Sequence, residues 1–338
     1  MNQWIVTANQ HYIHYAMEEL RRLIPDASFT PLEIGTVCHL TTDLTIEQLN
    51  DLIVQQPPIF VRHLQPVTNQ FTLMGNVEDI EQIAETVRYS ALLQPNCTTA
   101  VHVRIDKDSI YTYSIVDTKA IIDAILVERN IPLTMSSPQT IVSVYVSKQQ
   151  VYIGVATPTE MLSDWPGGAI RFQREENQIS RAKFKLLEAE RIFSLDFSSY
   201  HTALDIGAAP GGWTSLLLER GLTVTAVDPA ELHESIRQHP ALTYLKKNAN
   251  DVKFPSNHYD LLVCDMSWSP LLMSRLILQL EGALQPSAIV IVTIKLMHKK
   301  PLQTIKEVIN RLQAEFHLER AKQLFHNRDE ITLFLRKK

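Results

Sequence analysis

The stretch ALDIGAAPGGWTSLLL, residues 203–218, passes from an apolar run through a glycine-rich turn into a segment of helical spacing. A strand, a tight turn and a helix in succession build parallel α/β sheets, and such a turn faces a ligand at the carboxyl end of its strand. Two familiar ligand turns are excluded by the letters. A phosphate-binding P-loop places Lys and then Ser or Thr directly after its last glycine, whereas Gly212 is followed by Trp213 and Thr214. The dinucleotide fingerprint needs glycine two places after its first; that place holds Ala209, and Pro210 stiffens the loop behind it. What remains is a tight turn without a phosphate cradle. It comprises Gly207, Ala208, Pro210, Gly211, Gly212 and Trp213, with Asp205 in the strand ahead of it.

The next apolar run, TVTAVD, ends in Asp228, twenty-one residues after Gly207. At that spacing an acid can hydrogen-bond a ribose diol. An adenosine ligand without phosphates satisfies both signals, and S-adenosylmethionine is the common one. The bland alternative is an ordinary β–α turn followed by an incidental acid.

The surrounding pattern supports a doubly wound sheet over residues 180–338. Apolar runs such as YDLLVCDM and AIVIVTIKL are uninterrupted, as parallel strands covered on both faces should be. They alternate with helical segments such as SPLLMSRLILQLEGAL. LERAKQLF and EITLFLRKK are joined only by HNRD, too short for a crossover, so these two strands are expected to be antiparallel. A Rossmann-like sheet ending in an antiparallel hairpin is the class I methyltransferase architecture.

Residues 1–75 read as β-α-β-β-α-β, the order of a ferredoxin-like α+β unit. Residues 76–157 read as helix, strand, helix and hairpin, and 158–179, rich in Pro and Gly, as a linker. Composition narrows the setting. Formal net charge is −5, with 11 Lys and Arg against 20 Asp and Glu in residues 1–177, and 21 against 17 thereafter. Charge alone therefore does not mark the first half as a nucleic-acid grip. Cys38, Cys97 and Cys264 lie far apart, arguing for a reducing cytoplasm and against disulfides or a zinc site. No signal peptide and no membrane-spanning run is expected.

Four charged residues fall where this topology gathers them. Asp265 ends the fourth strand, Lys295 the fifth, Glu330 opens the last, and Lys185 lies on the helix SRAKFKLLEAE before the sheet. A lysine closing an apolar central strand is unusual. Taken singly, each has a bland reading as a snorkelling lysine or a loop-capping acid.

The Lys-Asp-Lys-Glu pattern, with G-A-x-P-G-G-W between its first two members, resembles that of FtsJ-type RNA 2′-O-ribose methyltransferases. The context SRAKFKLLEA places the first lysine at Lys185 rather than Lys183. Within that family, DIGAAPGGWT, VCDM, KLMHKK, HNRDEITLFLR and WPGG resemble the RlmM group, which methylates large-subunit ribosomal RNA. The resemblance implies S-adenosylmethionine as cofactor, RNA as substrate, no metal, and an N-terminal ferredoxin-like piece followed by a THUMP domain. It implies Lys185, Asp265, Lys295 and Glu330 as the catalytic set. The expected roles are Lys295 as base, Lys185 and Glu330 orienting the ribose, and Asp265 holding Lys295. The adenine contact falls to Asn248 or to Asp251, and Asp265 is expected to line the cofactor as well. His298 and His326 are expected as surface residues near the active face. Alternatives are a tRNA substrate, or a non-catalytic RNA-binding or assembly factor.

Overall fold

The computed structural model describes residues 1–296 and 300–338, so His298 lies outside the described residues. Two units are resolved, Met1–Ile170 and Arg171–Lys338.

The first unit opens with β1 (Asn2–Thr7), α1 (Ile13–Leu23), β2 (Ser28–Glu33), β3 (Val37–Thr42), α2 (Ile46–Gln55) and β4 (His63–Pro66). Their sheet has the order β2-β3-β1-β4 with every neighbouring pair antiparallel, the ferredoxin-like arrangement expected from the sequence. α2 starts where Thr45 and Gln48 form a reciprocal capping box. A second sheet follows from β5 (Asn69–Thr72), α3 (Val77–Arg88), β6 (Thr99–Ile105), α4 (Ile115–Glu128), β7 (Thr140–Val146) and β8 (Gln150–Ala156). Its order is β5-β8-β7-β6, parallel only between β6 and β7.

The two sheets of this unit are in contact. Buried Gln65 of β4 donates to the carbonyls of Ser143 and Tyr152 and accepts from the Ser143 hydroxyl. A Cβ on Gly154 of β8 would lie 1.9 Å from the Pro66 carbonyl oxygen, so only glycine permits that approach. The second sheet also begins before the boundary expected at residue 75, because β5 belongs to it.

The expected linker 158–179 is divided. Met161 and Ile170 are buried, and the Gly167 carbonyl accepts from the Thr7 hydroxyl and from Arg62 Nε. This stretch is packed structure of the first unit, and the boundary falls after Ile170.

The second unit contains α5 (Lys183–Ile192), β9 (Thr202–Ile206), α6 (Gly212–Glu219), β10 (Thr223–Val227), α7 (Glu234–Arg237) and β11 (Leu242–Leu245). It continues with β12 (Tyr259–Cys264), α8 (Pro270–Leu280), β13 (Leu284–Lys295), α9 (Pro301–Leu312), β14 (Phe316–Lys322) and β15 (Glu330–Lys337). The sheet order is β11-β10-β9-β12-β13-β15-β14. β11 through β13 run parallel, and β15 is antiparallel to both its neighbours. The chain winds outward from β9 to β11 and then returns to β12 on its other side, so the switch in strand order lies between β9 and β12.

Period-two alternation separates the two faces of this sheet. Leu261, Val263, Ile289 and Ile291 pack with Leu186 and Ala189 of α5 and with Leu216 and Leu217 of α6. Cys264 faces the other way, its Sγ 3.6 Å from Met273 Sδ on α8. Burying a leucine of this kind contributes roughly 1.5–3 kcal/mol, so α5 is held on the sheet by its apolar side. Among the described residues, no helix is long and apolar enough to cross a membrane.

Candidate active site

At the strand-order switch, β9 ends and the chain turns through Gly207 into α6. Gly207 has φ +76°, and a Cβ there would meet Met266 Cγ at 2.2 Å, so both conformation and space demand glycine. Gly212 is required by proximity instead, since its Cβ would lie 2.3 Å from Ser180 Oγ. The peptide before Pro210 is cis. Asp228, just past β10, accepts from the backbone N–H of Ala209 at 3.0 Å and of Ala230 at 2.7 Å. Those bonds aim its half-buried carboxylate across the turn. Asn248 and Asp251 are exposed and contact each other at 3.4 Å.

Two residues expected to line the cofactor lie beneath the turn instead. Asp205 is 1 % exposed and accepts from Thr214 Oγ1 at 2.6 Å, tying β9 to α6. Burial pushes its carboxyl up to about 7, against the Thr214 hydrogen bond, which favours the charged form. Trp213 is 3 % exposed, and its Nε1–H donates to the Ala182 carbonyl at 2.8 Å. That bond fastens the start of α5, the helix carrying Lys185, to the glycine turn.

The four charged residues converge at the carboxyl edge. Lys185 Nζ lies 3.2 and 3.1 Å from the two oxygens of Asp265 and 2.6 Å from Glu330 Oε1. Its side chain is 19 % exposed, which removes these ion pairs from the fully solvated regime where they would be worth little. Burial lowers the Lys185 pKa, but the Asp265 and Glu330 carboxylates outweigh it, and the net shift is upward. Lys295 is exposed and stands directly opposite Glu330 in the β13–β15 register, so both side chains leave the same face. Among the described residues, no hydrogen bond or ion pair engages its ammonium. The carboxylate of Asp265, expected beside Lys295, is bonded to Lys185.

Lys183, two residues earlier, is nearly buried and ion-pairs with Glu175 at 2.7 Å and Glu219 at 2.8 Å, away from this cluster. His326 is half-buried in a ring cluster with Phe172 and Phe184 rather than standing on the surface.

Two contributors were missed in the sequence. Thr293 Oγ1 donates to Asp265 Oδ1 at 2.8 Å. The signal was a hydroxyl inside an aliphatic strand, two places before Lys295 and therefore on its face. Glu188 of α5 is buried and accepts the backbone N–H of Phe325 at 2.7 Å and of His326 at 2.9 Å. It anchors the turn that leads into Glu330, and KLLEA offered no hint of that.

Residues 178–322 match the FtsJ-like methyltransferase family, and residues 75–156 match the THUMP domain. The segment that matches the FtsJ-like methyltransferase family lies within the second unit. Similar proteins named "Ribosomal RNA large subunit methyltransferase M" include those of three bacteria. That of Halorhodospira halophila is 36% identical over 177 residues, covering 51% of this chain and 51% of that protein. That of Laribacter hongkongensis is 32% identical over 205 residues, covering 56% and 57%. That of Pseudomonas putida is 30% identical over 216 residues, covering 60% and 59%. The chain thus spans about half the length of the first of these relatives. The matched segment spans Lys185, the glycine turn, Asp265 and Lys295. Glu330 lies beyond the matched segment and is joined to it by β15 pairing and by Lys185.

Proposed function

We propose that this protein transfers the methyl group of S-adenosylmethionine to the 2′-hydroxyl of a ribose in RNA, with large-subunit ribosomal RNA as substrate. The observation that carries the reading is the ion-paired Lys185–Asp265–Glu330 cluster, with Lys295 opposite Glu330, at the strand edge that holds the glycine turn. The names of the similar proteins support the choice of ribosomal RNA, and the THUMP match supports an RNA partner. A cytoplasmic location follows from that substrate.

The donor set at the turn suits the cofactor. It offers a carboxylate, Asp228, and no lysine or arginine between Gly207 and Trp213, which fits an adenosine bearing a cationic sulfonium rather than phosphates. Gly207, Ala208, Pro210, Gly211 and Gly212 would bound it, Asp228 would take the ribose diol, and Asn248 or Asp251 the adenine. Asp205 and Trp213 would hold the turn from beneath. When bound, S-adenosylmethionine supplies an electrophilic methyl carbon.

The protein's own residues supply position and proton transfer. Lys185, kept positive by two carboxylates, donates hydrogen bonds and orients the ribose together with Glu330. Lys295, opposite Glu330 at the same edge and acting as the neutral amine, would take the 2′-hydroxyl proton as the oxygen attacks. Asp265 organises the set by binding Lys185. Ordering the two reactants in one site is the larger part of the task, worth up to ~7–11 kcal/mol for ideal geometry.

The test uses labelled S-adenosylmethionine with unmodified large-subunit ribosomal RNA and unmodified tRNA in separate reactions. The expected result is alkali-resistant label in the ribosomal RNA that is lost in Lys295→Ala. Label confined to tRNA would overturn the substrate. Retention of more than about a tenth of the wild-type rate in Lys295→Ala would overturn its role as base, given the 10²–10⁴-fold such catalysis supplies.

A further inference from the structure

We propose that Thr293 is a positioning residue for methyl transfer, acting through Asp265. The inference rests on the ribose methyltransferase reading and adds a group to its machinery. Thr293 is 2 % exposed, in a stretch of β13 otherwise filled by Ala288, Ile289, Val290, Ile291, Val292 and Ile294. A hydroxyl in such surroundings is costly unless bonded, and its bond goes to Asp265 Oδ1. The placement follows from register. Cys264 is level with Val292 in the parallel β12–β13 pair, so the next residues along, Asp265 and Thr293, are level at the sheet edge.

The consequence is a fixed carboxylate. Oδ1 receives Thr293 and Lys185, and Oδ2 receives Lys185. The last torsion of an aspartate is otherwise broad. With the hydroxyl in place, the carboxylate faces α5 and Lys185, and it is not shared with Lys295. Thr293 thereby divides the two lysines: Lys185 is held as a fixed cation, and among the described residues Lys295 has no hydrogen bond or ion pair to withhold it from the ribose. Across the sheet the matching position is Thr332, paired with Thr293 and bonded to Asn327 Oδ1 at 3.1 Å. The two hydroxyls are directed to different partners, so Thr293 is specific to Asp265 and not part of a general polar stripe.

The experiment compares Thr293→Val, which keeps the shape and removes the donor, with Thr293→Ser, which keeps the donor. Thr293→Val is expected to lower kcat by roughly 10- to 100-fold, the scale of one charge-assisted hydrogen bond. The KM for RNA and the Kd for S-adenosylmethionine should stay within about twofold, and Thr293→Ser should recover most of the rate. A urea-unfolding cycle adds a readout that does not depend on activity: Thr293→Val should destabilise the wild-type protein but cost almost nothing in an Asp265→Ala background. An unchanged kcat in Thr293→Val, or an equal penalty in both backgrounds, would overturn the proposal. Absence of methyl transfer by the wild-type protein to either RNA would instead overturn the functional reading, while the urea cycle still decides whether Thr293 acts through Asp265.

Discussion

Asp205→Asn should make the stability of the protein less sensitive to pH, with a definite sign. Asp205 is sealed beneath the glycine turn, and burial raises its carboxyl from 3.8 to about 7. Below the unfolded value both states hold the proton, and the native environment suits that neutral form. Between pH 4 and 7 the unfolded chain ionises first, so the native state binds more protons and stability falls as pH rises. Above pH 7 both states are ionised and the loss is complete. A gap of about three pH units at 1.36 kcal/mol each sets the loss at about 4 kcal/mol. Asparagine has no proton to lose, and its Oδ1 can still accept from Thr214. The assay is urea unfolding of both proteins, without cofactor, from pH 4.5 to 8.5, following fluorescence. The stability difference, variant minus wild type, should climb through this range and flatten above pH 7. Parallel curves would refute the reasoning, because they would mean that Asp205 ionises as an ordinary solvated acid.

Gly207→Ala should destabilise the protein by about 2 kcal/mol or more, combining left-handed strain with the clash at Met266. Gly221→Ala, at φ +89° with nothing within 4 Å, should cost only the strain; equal losses by thermal unfolding would discount the clash. Thiol labelling at pH 8 should modify Cys97 in the native protein and all three cysteines only on unfolding. Cys38 is buried with its thiol pushed up to about 12, and Cys264 is buried and pushed well above the ordinary value. Rapid native labelling of either buried thiol would contradict that packing.

The architecture of the second unit was readable because parallel strands covered on both faces leave unbroken apolar runs, and β13 is such a run. β5 was not readable: its four residues, NQFT, are polar or partly exposed and lie at a sheet edge, where pairing rather than pattern makes the strand. The packed stretch before Ile170 escaped for a related reason. Pro and Gly mark a break in periodicity, and nothing in the letters tells a loose connector from one whose Gly167 carbonyl is bonded to Thr7 and Arg62. Asp265, Lys295 and Glu330 stood out because charge at a strand end is conspicuous, and Lys185 through the helix context SRAKFKLLEA. Thr293 did not, since threonine is at home in strands. Trp213 and Asp205 were assigned to the right turn but to its ligand side. A motif specifies where a side chain sits in the chain, while its orientation depends on α5, whose Ala182 carbonyl comes from 31 positions away.

That dependence on α5 divides the site by sequence separation. The Asp205–Thr214 and Ala209–Asp228 bonds at the glycine turn span only 9 and 19 positions, so they close short loops. The ribose side needs Lys185 to find Asp265 across 80 positions, and Glu188 to find the turn before Glu330 across 137. Closing loops of such length costs more chain entropy and slows the search. Under the proposed reading, the ribose side of the site therefore depends on the docking of the β15 hairpin more than the glycine turn does.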